Sequence, residues 1–79
     1  MIHKDDLLRD FLDTIYNMDL SPTDIDYKIC LDYIFTTYYE DDIDVQLDVK
    51  DNFKEYYKFY LALCKVAQMY PKNYHPYYR

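Results

Sequence analysis

Glycine is wholly absent from this sequence, tryptophan likewise, and serine occurs once, as Ser21. Without glycine the backbone lacks the residue that phosphate-cradling loops, dinucleotide-binding turns, EF-hand loops and nucleophile elbows place where the chain turns sharply or touches ligand. Histidine is almost as scarce. His3 and His75 stand near opposite ends with no partner in sequence, so neither is expected to be catalytic. The two cysteines, Cys30 and Cys64, are 34 residues apart, which is not a metal-ligand spacing. Each lies among apolar residues, where a reduced thiol behaves as a small hydrophobe. No apolar run approaches the roughly 18 residues of a membrane span. The stretch Met1–Asp6 carries charge where a secretory signal would be apolar. These absences predict a cytoplasmic protein (in host cytoplasm if the chain is viral) that is not an enzyme and uses no cofactor or metal.

Tyrosine and aspartate are what the sequence has in excess. Twelve of the 79 residues are tyrosine, and thirteen of the fifteen acids are aspartate. A chain of this length forms one small domain and buries only about 60% of its unfolded surface, so tyrosine rings must supply much of the core. The net charge of −6 is unevenly spread: residues 1–51 hold fourteen acids and four bases, residues 52–79 one acid and five bases. The first part, at −10, would be repelled by nucleic acid, whose affinity for proteins rests largely on phosphate neutralisation. The same field favours a basic protein surface.

Apolar spacing predicts an all-α fold of three helices in a single domain. Over 4–18, Leu7, Leu8, Phe11, Leu12, Ile15 and Met18 form one stripe opposite Asp6, Asp10, Asp13 and Asn17. A second helix over 22–39 opens on Ser21-Pro22-Thr23-Asp24, with Ser21 as the expected cap. It carries Tyr27, Cys30, Leu31, Ile34, Phe35 and Tyr38 on one side and Ile25, Ile29 and Tyr33 on another, which predicts a sandwiched position. The third helix, 51–70, has two adjoining seams: Phe53, Tyr57, Tyr60, Cys64 and Ala67, then Tyr56, Phe59, Leu63, Val66 and Tyr70. The second seam is expected to meet an oligomer mate or another partner. Between helices, Ile43, Val45, Leu47 and Val49 alternate with polar residues. A period of two favours an extended connector around 42–49, or a single β-strand. A helix remains open there, because Ile43–Leu47 and Val45–Val49–Phe53 are four apart. The end, 71–79, is expected to be an irregular aromatic tail.

The candidate binding residues follow from charge. Asp6, Asp10 and Asp13 recur at about 4.5–6 Å along a helix axis, a pitch that imitates strand phosphates. Asp41, Asp42 and Asp44 extend the acidic surface, and Tyr74, Tyr77 and Tyr78 offer aromatic anchors of the kind enriched at interfaces. A solvated helix face is the plainer reading of the aspartate row, and a folded-back tail the plainer reading of the tyrosines. Lys54, Lys58 and Lys65 share one face of the last helix, so the bipolar charge layout also allows a homodimer. The excess of Ile, Asp, Tyr and Lys is what an AT-rich genome favours, and bacteriophages and other mobile elements often encode small acidic chains of this type. The leading expectation is a non-enzymatic protein that binds a basic, nucleic-acid-binding partner and inhibits or redirects it, without itself contacting nucleic acid or membrane. The alternative is a structural or accessory subunit of an obligate oligomer.

Overall fold

Four helices account for 82% of residues 4–70, the part of the chain that the computed structural model describes. They are α1 (Lys4–Met18), α2 (Asp24–Thr37), α3 (Ile43–Asp51) and α4 (Phe53–Met69). The expected all-α class holds, with one helix more than the spacing predicts. Residues 71–79, and with them Tyr74, Tyr77 and Tyr78, lie outside the described residues.

The extra helix is the segment expected to be extended. A lone strand would leave its backbone N–H and C=O groups without partners, whereas a helix satisfies them internally. The local sequence also supplies a start: the Asp42 carboxylate accepts the Val45 N–H at 3.2 Å. At 100° per residue the alternating set splits into two faces. Val45 and Val49 are buried, while Ile43 and Leu47 point to solvent. Asn52 then separates α3 from α4, its side-chain amide donating to the Asp48 carbonyl and carboxylate, both at 2.9 Å.

The other boundaries shift by one or two residues. α2 begins at Asp24, capped by Thr23 and not Ser21: Thr23 Oγ1 accepts the Asp26 N–H at 3.1 Å. Asp26 returns the favour one step upstream, accepting the Ser21 N–H at 2.9 Å. α1 ends as expected at Met18. With no glycine available, Asp19 takes the left-handed conformation at φ 51°. The Leu20 N–H reaches back to the Ile15 carbonyl at 3.1 Å, which closes the helix end.

α2 is not sandwiched: it meets α1 and α4 through its Tyr27 face alone, and its other side is open. α1 packs on both α2 and α4, and α3 packs on α4. Leu7, Phe11, Leu12, Ile15 and Tyr16 are therefore buried, as is Thr14, whose hydroxyl is satisfied by the Asp10 carbonyl at 2.8 Å. α2 buries only Tyr27, Cys30 and Ile34, and its second stripe faces solvent, with Ile25 72% exposed. At the centre, the Tyr27 ring lies 5.0 Å from Tyr57, 5.2 Å from Tyr60 and 5.5 Å edge-on to Phe53, and stacks parallel to Phe11 at 6.2 Å. Tyr60 donates its hydroxyl to the Ser21 carbonyl. The Tyr27 hydroxyl is buried with no hydrogen-bond partner among the described residues.

The seam expected to face a partner is largely spent inside the chain. Tyr56 and Leu63 are buried, Phe59 and Val66 half-buried, and Tyr70 exposed. The buried arc of α4 straddles both seams, taking Tyr60 and Cys64 from one and Tyr56 and Leu63 from the other. Neither seam is left whole for another molecule.

Candidate partner-binding surface

The corner between α2 and α3 ties an aspartate of α1 to the start of the acidic turn. α2 stops at Thr37, and Tyr38 donates its N–H to the Ile34 carbonyl at 2.9 Å. The chain then turns through Tyr39–Asp42, with the Asp42 N–H on the Tyr39 carbonyl at 3.1 Å. Gln46, one turn into α3, braces this turn by donating to the Tyr39 carbonyl at 2.8 Å. The two adjacent tyrosines diverge. Tyr38 remains about half exposed, while Tyr39 reaches α1 and donates its hydroxyl to Asp10 Oδ2 at 2.7 Å.

This contact docks the α1 aspartates against the corner. Around it, Thr37 to Asp44 line an open concavity of about 600 Å³, within which Glu40, Asp41, Asp42 and Asp44 are acids and no residue is basic. Asp41 and Asp44 are exposed. Asp42 is exposed too, but one carboxylate oxygen is committed to capping α3. On α1, Asp6 is exposed and meets Arg9 at 3.5 Å, a solvent-exposed i,i+3 pair that contributes little. Asp10 and Asp13 are half-buried, so the aspartate row is not the freely solvated face that its spacing suggests.

Burial pushes the Asp10 carboxyl above the usual carboxylate range, and the neighbouring Asp13 and Asp6 charges push the same way. The Tyr39 hydroxyl and the Arg9 guanidinium oppose that rise without cancelling it. Tyr39 and Tyr38 are both raised, foremost by burial. For Tyr39 the Asp10 hydrogen bond and the Asp10 and Asp6 charges add to the effect; for Tyr38 the Asp13 and Asp10 charges do. The tyrosine pair thus stands in the field of the α1 aspartates.

Tyr39 and Gln46 carry this arrangement, and reading the sequence for charge passed over both. The available signal was local: a Tyr-Tyr pair at a helix end directly before Glu-Asp-Asp, and one uncharged amide among the aspartates of 41–51. Among the described residues no three His, Cys, Asp or Glu side chains gather as a metal ion would need, and no helix is long and apolar enough to cross a membrane. No family profile, curated protein or solved structure matches the chain.

Proposed function

We propose that this chain is a small non-enzymatic binding protein that docks its acidic α1–corner surface on the basic face of a nucleic-acid-binding protein, and so inhibits or redirects it. The observation that carries this reading is the Tyr39–Asp10 hydrogen bond, which ties the middle of α1 to the start of the acidic 40–44 turn. Asp10, which burial and the Asp13 and Asp6 charges hold above the usual carboxylate range, gains from a cationic partner that offsets this repulsion. A surface of this kind competes with phosphate for the same lysines and arginines. The half-exposed Tyr38 ring at its centre supplies apolar contact area at little cost in side-chain entropy.

Affinity capture from a host lysate tests the reading, with the Asp10→Asn/Asp41→Asn/Asp44→Asn variant as the comparison. A captured nucleic-acid-binding protein should elute in a moderate salt step, be displaced by duplex DNA or by RNA, and be lost on the neutralised variant. Retention in about 1 M salt, where the Debye length is about 3 Å, or equal capture by the variant, overturns it.

The exposed stripe Ile25, Ile29 and Tyr33 on α2 favours a second reading, a subunit of an oligomer. Sedimentation of the wild type and of Ile25→Ser/Ile29→Ser separates the two. A dimer that the double variant abolishes supports the subunit reading, and a wild-type monomer at high concentration removes it.

A further inference from the structure

The outer face of α3 carries an apolar pair that the chain's own core does not use. Ile43 is 58% and Leu47 51% exposed, one helical turn apart on the side opposite the buried Val45 and Val49. Ile43 also lines the concavity of the α2–α3 corner together with the half-exposed Tyr38. Tyr38, Ile43 and Leu47 thus form a short apolar line that starts in the acidic corner and runs out along α3. At 100° per residue, Asp44 and Asp51 flank this line on one side of α3 and Lys50 on the other. From Thr37 to Asp51 the chain holds six acids and that one base.

We infer that this line is the seat of a basic amphipathic helix belonging to the partner protein, an inference that rests on the acidic-surface reading above. Charge complementarity selects the occupant. A neutral apolar partner would strip water from the rim carboxylates without pairing them, which costs free energy for each one buried. A second copy of this chain paired symmetrically through the same face would set aspartate against aspartate. A helix with lysines or arginines beside its apolar stripe pairs the rim while covering Ile43 and Leu47. Apolar side chains one turn apart match the i, i+3/i+4 anchors of a docked helix. α3 has no open backbone edge to pair with an extended strand. The open concavity lined by Tyr38, Glu40, Asp41 and Asp44 has room for one long cationic side chain.

Three synthetic peptides of leucine, alanine and lysine test this, with dissociation constants measured by fluorescence anisotropy at low and high salt. The first places its leucines at i, i+3/i+4 and i+7, the second scrambles that order at the same charge, and the third replaces lysine with glutamate. The amphipathic basic peptide should bind at least about tenfold more tightly than the scrambled one. The Ile43→Ser/Leu47→Ser variant should erase that difference while keeping salt-dependent binding of both cationic peptides. Both replaced side chains are exposed, and an unchanged far-UV circular dichroism spectrum confirms that the variant folds. If the two basic peptides bind the wild type equally and with steep salt dependence, the apolar seat is overturned and the acidic surface stands. If neither basic peptide binds better than the glutamate peptide, the acidic surface falls as well.

Discussion

The Tyr39 hydroxyl, at the start of the α2–α3 turn, donates a 2.7 Å hydrogen bond to the Asp10 carboxylate in the middle of α1. The contact spans 29 residues and ties together the two acidic stretches of the chain. Removing the donor leaves a half-buried carboxylate with less to hold it. Tyr39→Phe should lower unfolding stability by about 1–2 kcal/mol, the range for a hydrogen bond to a charged group discounted for partial exposure. Urea titration reads that loss. Asp10 should also titrate at higher pH in the variant, because the hydroxyl opposes the effect of burial.

Asp10 itself should show a pH signature. Its carboxyl is raised in the fold, so the folded state holds the proton more tightly than the unfolded chain does. Asp10 therefore favours the fold below its unfolded pKa, and that contribution is lost as pH rises through its folded pKa. Asp10→Asn removes the buried charge and keeps an acceptor for Tyr39. The variant should be more stable than the wild type at neutral pH, with the advantage shrinking as pH falls into the carboxylate range. Thermal unfolding of both proteins across that range tests this, and an advantage that grows on acidification contradicts it.

The Tyr27 hydroxyl is buried without a partner among the described residues, while its ring packs on Phe11, Phe53, Tyr57 and Tyr60. Tyr27→Phe keeps the ring and removes the unsatisfied group. The expected result is a gain of up to about 1 kcal/mol in stability, where most substitutions at a central core position cause a loss.

Asp19 bears a left-handed backbone conformation that glycine would adopt without steric cost. Asp19→Gly should stabilise the fold by about 0.5–1 kcal/mol, less whatever the looser unfolded chain gives back. Denaturant midpoints compare the two proteins directly.

A helical α3 makes its two apolar pairs unequal, although they alternate evenly in sequence. Val49→Ala should cost about 1.5–3 kcal/mol, since Val49 is almost fully buried. Leu47→Ala, on the solvent side, should stay within about 0.5 kcal/mol. Equal losses at both positions would mean that all four alternating residues share one face, as in a strand.

By itself the sequence determined the helical class, the extent of α1, the inward stripe of α2 and the segregation of acids from bases. These depend on spacing and composition, which local geometry turns into faces and ends. What only tertiary structure decided is which faces are covered. Periodicity shows that Ile25, Ile29 and Tyr33 share a side of α2, yet α1 and α4 both pack on the Tyr27 side and leave this one open. The 43–49 alternation fits a strand until the backbone's need for partners is counted, and with no second strand among the described residues the helix prevails. The Tyr39–Asp10 contact lies beyond any spacing rule, because the path of the turn brings residues 29 apart within hydrogen-bond reach, and a turn's direction depends on what it packs against.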